Sequence, residues 1–161
     1  VMTFIARMTG CQIDIDSLKS EFGRIRNEIS DQILQYYDTS CPKCKKQTSI
    51  IGTKWHFLRN EPILVRLYCS SCKKRLSKKP DSQDQEKLAQ IAKENIPFWY
   101  PKDKLRYNNG VEFKEGTHQT QADDIPSLFT HRNLICLSIL YNSIQKISNE
   151  RIKSILLFTF T

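Results

Sequence analysis

The residues with the clearest chemistry in this 161-residue chain are its six cysteines, at positions 11, 41, 44, 69, 72 and 136. Four of them form two C-x-x-C steps, Cys41-Pro-Lys-Cys44 and Cys69-Ser-Ser-Cys72, separated by the 24 residues 45–68. A C-x-x-C turn presents two thiolates on one side, and two such turns held together supply four sulfurs in the tetrahedron that structural zinc prefers. Four thiolates close the coordination sphere, so the ion would be structural and would not activate water. Other readings stay open. A disulfide framework suits a chain with no secretory signal poorly, a redox pair leaves the second C-x-x-C unexplained, and chance placement is the remaining alternative. His56 is an alternative fourth ligand, although a histidine on a β-rich run is more often just packed or exposed. Cys11 and Cys136 stand in apolar surroundings and read as core thiols.

To bring the two cysteine pairs together, the chain between them must fold back on itself. Thr48–Phe57 is rich in β-formers, Arg59-Asn60 can turn, and Ile63–Tyr68 is a second β-rich run. The segment is therefore expected to be a β-hairpin, and residues 41–76 a zinc ribbon. The charge sits in the same place. The net charge is +8, but residues 1–40 contribute −2 and residues 81–161 contribute 0. Residues 41–80 contribute +10, from Lys43, Lys45, Lys46, Lys54, Arg59, Arg66, Lys73, Lys74, Arg75, Lys78 and Lys79 against Glu61. Such a block attracts polyanions, because each phosphate neutralised by Lys or Arg releases condensed counterions. These eleven bases are the candidate nucleic-acid contacts, with a solvated basic surface as the alternative.

Around this block the periodicity is helical. Leu18, Phe22, Ile25, Ile29, Ile33 and Tyr36/Tyr37 recur at intervals of three and four, with Asp16 as the expected N-cap, so a long helix should lead directly into Cys41. Asp81–Asn95 carries a weaker helical pattern that Ile96-Pro97 ends. Residues 97–126 read as a long irregular loop with Phe98, Trp99, Tyr100, Tyr107 and Phe113. Phe98 and Trp99 are expected to pack on the core, and Lys102, Lys104, Arg106, Lys114 and His118 remain open for bases. Thr130 should cap a buried helix bearing Leu134, Leu137, Ile139, Leu140, Ile144 and Ile147, and a last helix follows from Glu150. The expected class is α+β, with helices packed around a zinc-ribbon β-hairpin and a mainly helical remainder. Its segments are 1–40 (N-terminal segment and long helix), 41–80 (basic ribbon), 81–126 (helix and aromatic loop) and 127–161 (C-terminal helices).

Several function classes find no support in the sequence. No stretch approaches the roughly 20 apolar residues that span a bilayer, so no membrane partner and a cytoplasmic location are expected. The five glycines are too far apart for a phosphate loop, and H-E-x-x-H and G-x-S-x-G are absent. Asp123-Asp124 could serve acid–base work with His118 and His131, yet helix-start electrostatics explain the pair more simply. No catalytic residue is assigned. The apolar run to Thr161 and the Val1 start suggest the middle of a longer protein.

Several pieces, in order, resemble the central part of prokaryotic adenine-specific (N6-adenine/N4-cytosine) DNA methyltransferases. They are Val1–Gly10 with Ile13-Asp14-Ile15-Asp16, the two C-x-x-C pairs, Pro97-Phe-Trp-Tyr-Pro101, and Asp124-Ile-Pro-Ser-Leu-Phe-Thr-His-Arg-Asn-Leu134. The family's S-adenosylmethionine motif and its Pro-Pro-aromatic catalytic motif do not occur in this chain. The resemblance therefore implies a segment between the two, covering target recognition on duplex DNA. S-adenosylmethionine would be bound only by the rest of the methyltransferase, and this chain alone should be inactive. The other functional expectation is a stand-alone zinc-ribbon adaptor that binds RNA or protein.

Overall fold

The computed structural model describes residues 12–56, 61–106 and 122–160. Val1–Gly10, Cys11, Arg59-Asn60, Tyr107, Phe113, Lys114 and His118 lie outside the described residues. The class is α+β: helices α1 (Ile15–Leu34), α2 (Ser82–Ile91), α3 (His131–Gln145) and α4 (Glu150–Phe160), with one four-stranded antiparallel sheet. The chain forms two compact units, Asp31–Glu94 and the described parts of Val1–Ser30 with Asn95–Thr161.

In the 31–94 unit the strands are β1 (Asp38–Ser40), β2 (Gln47–His56), β3 (Glu61–Cys69) and β4 (Lys74–Lys78), paired in the order β1-β2-β3-β4. The expected hairpin is its centre, β2 on β3, in a register that sets Ser49 opposite Tyr68 and Lys54 opposite Leu64. The outer two strands went unread in the sequence. Asp38-Thr39-Ser40 and Lys74-Arg-Leu-Ser-Lys78 are short and polar, and they become strands because the hairpin edges offer them unpaired N–H and C=O groups. The long helix therefore does not lead straight into Cys41. It ends at Leu34, and a 3-10 turn over Gln35–Tyr37 and strand β1 intervene.

Strand β3 alternates cleanly. Val65, Leu67 and Cys69 are 2%, 0% and 1% exposed, while Arg66 and Tyr68 point the other way into solvent. Asp84 ties α2 to this sheet. Its carboxylate accepts from Thr39 Oγ1 of β1 at 2.6 Å and pairs with Lys78 Nζ of β4 at 2.9 Å. It also accepts from the Asp81 backbone N–H, while Asp81 accepts from the Asp84 N–H, both at 3.1 Å; this is a capping box that starts α2. Lys78 Nζ also reaches Asp81 at 2.6 Å. Helix α2 stops at Ile91, short of the expected Asn95, and the N–H groups of Lys93 and Glu94 close tight turns onto Gln90 O and Ile91 O.

In the other unit, Asp14 rather than Asp16 caps α1, because its carboxylate accepts from the N–H groups of Asp16 and Ser17 at 3.2 and 3.1 Å. Asp16 falls inside the first turn. Ile25 and Ile29 are buried as expected, but Phe22 is 55% exposed, since the buried stripe is narrower than the apolar one. Thr130 caps α3 through Asn133 N–H at 3.3 Å, and Leu134, Ile135, Cys136, Ile139 and Ile144 are buried. Asn149 caps α4, which buries Ile152 and Leu156. The expectation for the aromatic loop fails at two positions: Phe98 and Trp99 are 40% and 60% exposed. Trp99 leans on the surface ring of Tyr141, centroids 4.8 Å apart, instead of inserting below it. Asp124 has the helix-start role, accepting from Ser127 N–H at 2.9 Å and from the Ser127 hydroxyl, which hold its carboxyl below the ordinary value. Among the described residues no helix is long and apolar enough to cross a membrane.

The Thr39–Asp84–Lys78 network should be a major support of the 31–94 unit. Removing one partner of a buried ion pair strands the other, so Asp84→Ala is expected to cost roughly 3 kcal/mol, read by denaturant unfolding. The pH window follows from the shifts. Burial opposes the charge on Lys78, but hydrogen bonds to Asp81 and Asp84 outweigh it and raise its pKa, while the Lys78 bond lowers that of Asp81. Asp81's contribution is therefore present above about pH 4 and lost as pH falls, and that of Lys78 is present below about pH 10 and lost as pH rises.

Candidate metal centre

The topology brings the two cysteine pairs together. In an antiparallel meander successive turns alternate between the ends of the sheet, so the β1–β2 and β3–β4 connections share one end. The first contains Cys41 and Cys44; the second opens with Cys69, the last residue of β3, and contains Cys72. The ligand atoms of all four lie within 4.8 Å of one another. Cys41 Sγ is 4.0 Å from Cys72 Sγ, and Cys44 Sγ is 3.5 Å from Cys69 Sγ. A zinc–sulfur bond of about 2.3 Å in a tetrahedron implies sulfur–sulfur edges of about 3.8 Å. The two distances straddle that value and are far longer than a disulfide bond of about 2.05 Å. The four sulfurs thus fit a tetrahedral thiophilic ion, with zinc compatible.

Each turn is shaped by its own backbone. Cys41 N–H donates to Lys46 O and Lys45 N–H to Cys41 O, each at 2.9 Å, and Cys72 N–H points at Cys69 Sγ at 3.4 Å. Lys45 and Lys73 follow the second cysteine of their respective pairs and adopt left-handed φ values of 60° and 49°. This shared conformation turns the chain back into β2 and β4 once both sulfurs are placed. The sequence did not flag it, because glycine is the usual occupant of such a position and lysine carries no such signal. Beneath the sulfurs Leu67 is fully buried against Cys41 and Cys69, with Leu76 beside them, so apolar packing and the thiol cluster are continuous.

The thiols perturb one another. A hydrogen bond from the Cys44 N–H brings the Cys41 thiol down to about 6, and the hydrogen bond with Cys44 pushes the Cys72 thiol up to about 12. A coordinated dication removes that competition by deprotonating its thiols outright. His56 is excluded as a ligand. It ends β2 opposite Glu61, nine residues along the strand from Gln47, or about 30 Å from the cysteine end of the sheet. Cys136 is buried in α3 of the other unit.

The basic residues divide by place. Lys43, Lys45, Lys46, Lys73 and Lys74 ring the cysteine turns, and Lys54, Arg66, Arg75 and Lys79 stand on or beside the strands; all nine are exposed and, among the described residues, in no ion pair. Lys78 differs, since its side chain is 8% exposed and its ammonium is held by Asp81 and Asp84. No family model matches the chain, and no curated protein or solved structure matches it.

The expected metal content is one zinc per chain, lost from Cys41→Ser or Cys69→Ser and retained by Cys136→Ala, as measured by elemental analysis. Because the ligands must be deprotonated, zinc affinity should fall as pH falls, seen as release to a chelator at progressively lower concentration. Lys45→Gly should keep the metal and the fold, whereas Lys45→Val, β-branched in a left-handed turn, should lose on the order of 1–2 kcal/mol of stability by thermal unfolding.

Proposed function

We propose that the chain is a nucleic-acid-binding module built on a zinc ribbon, and that it is the duplex-contacting segment of an S-adenosylmethionine-dependent DNA methyltransferase acting on adenine N6 or cytosine N4. One observation carries the reading. The four-thiol centre is surrounded by exposed lysines that no acidic partner neutralises among the described residues, so its field is available to an external polyanion. A four-thiolate site has no open position for water, so the zinc holds the turns in shape and takes no part in chemistry. The lysines around it neutralise phosphates, and the resulting binding is set by counterion release.

The methyltransferase part of the reading rests on the sequence resemblance. An enzyme that modifies a base inside a duplex has to extrude it, and needs backbone clamps outside its cofactor-binding fold to hold the distorted duplex. A rigid, basic, metal-braced sheet suits that role. The remainder of the methyltransferase would bind S-adenosylmethionine and supply the catalytic residues.

Binding to duplex DNA should weaken steeply with added salt, and the slope of log affinity against log salt should fall by about one unit for each of Lys43→Gln, Lys46→Gln and Lys74→Gln. Zinc content measured on the same samples keeps fold and binding separate. A slope near zero for the unsubstituted chain would overturn the reading.

A further inference from the structure

Among the described residues one face of the sheet is largely exposed, and near its cysteine end it carries an aromatic ring. Tyr68 is 47% exposed near the cysteine end of β3, although its neighbours Leu67 and Cys69 are 0% and 1% exposed. A tyrosine between two fully buried residues shows that the chain turns a large planar side chain outward on a rigid strand. Antiparallel register sets Arg75 of β4 directly opposite it and Ser49 of β2 on its other side. Arg66 lies two residues away on β3, on the same face, and is exposed, as is Arg75. Lys54 on β2 extends the row, opposite Leu64. Directly opposed residues have Cβ atoms about 5 Å apart, so the ring and the guanidinium groups form one surface. The acid at the margin, Asp38, is occupied by Gln47 at 2.7 Å and by Lys87 at 3.8 Å.

We propose that this face is a stacking platform for unpaired nucleobases, with the Tyr68 ring and the flanking guanidinium planes of Arg66 and Arg75 receiving the bases and the surrounding charges holding the phosphates. The proposal rests on the nucleic-acid reading above and names the form of nucleic acid this face takes: single-stranded, or locally unpaired within a duplex. Charge complementarity selects the occupant, since this face belongs to the segment that carries +10. An exposed aromatic between two cations matches the composition of single-strand grooves, in which each base lies on a π-face or a guanidinium and the backbone tracks the positive charge. Tyr68 adds no charge, so its contribution must be independent of salt. The lysines around the cysteine turns act through phosphates alone and give no preference for unpaired strands.

The test uses the zinc-loaded full chain with oligothymidylate, oligouridylate and a fully paired duplex of equal length. Tyr68→Ala should bind the single strands about tenfold more weakly while leaving duplex affinity, salt slope and zinc content unchanged, and Tyr68→Phe should bind like the parent. Arg75→Gln should weaken all three ligands and lower the salt slope by about one. A stronger effect on one single strand would identify DNA or RNA as the source; equal effects would mean that the sugar is not read, and either supports the platform. If Tyr68→Ala leaves single-strand affinity unchanged while Lys43→Gln and Lys74→Gln still lower it, the platform is wrong and the broader reading stands. Absence of all oligonucleotide binding overturns both. A Tyr68-dependent affinity for an acidic peptide, or a Tyr68-dependent dimer in sedimentation, with no effect on single strands would make the face a protein surface and overturn the platform.

Discussion

The cysteine end of the 31–94 unit depends on four sulfurs meeting at one point. Cysteines that are neighbours in sequence pair easily, but the Cys41 and Cys69 pairs stand 24 residues apart and converge only if the chain between them goes out and returns in register. The β2–β3 hairpin does this, and the meander then places the first and third connections at the same end of the sheet. The left-handed lysines and the buried Leu67 sit where the sulfurs close together, while the short outer strands pair on the edges of the hairpin. A ligated metal contributes to folding directly, because the same geometry does not exist in the unfolded chain.

A second constraint secures the other half of the unit. A carboxylate buried in a small sheet-and-helix structure is tolerable only when its lone pairs are occupied, and those of Asp84 accept from a hydroxyl, an ammonium and a backbone N–H. The three donors come from β1, β4 and the start of α2, so one side chain joins both edge strands to the helix. Lys78 belongs by sequence to the basic block, but its charge is committed to this junction. The remaining basic residues stay outside, where they shape the field around the cysteine centre.

Much of this was visible in residue order. The Cys spacing announced the centre, the β-rich runs announced the hairpin, and the cap at Thr130 is where threonine chemistry puts it. The outer strands were not visible, because three polar residues at 38–40, and four around Leu76 at 74–78, make too weak a strand pattern until an edge is presented to them. Nor was the exposure of Phe98 and Trp99, since composition reports that an aromatic gains by burial and not whether room exists beneath it. The Asp14 cap was missed for a smaller reason: two aspartates two residues apart offer the same chemistry, and only the chain's entry angle decides between them.

The sequence alone determined which groups could bind a metal, since thiolate softness and C-x-x-C geometry are local, and it determined that positive charge is concentrated around them. Tertiary structure decided what local patterns cannot express. It closed the four sulfurs to within 4.8 Å, left His56 at the far end of its strand, withdrew Lys78 into an ion pair and turned Tyr68 outward beside Arg66 and Arg75. These outcomes depend on register and strand order, which are set by long-range pairing, and a shift of one residue in that pairing would exchange the buried and exposed faces of β3.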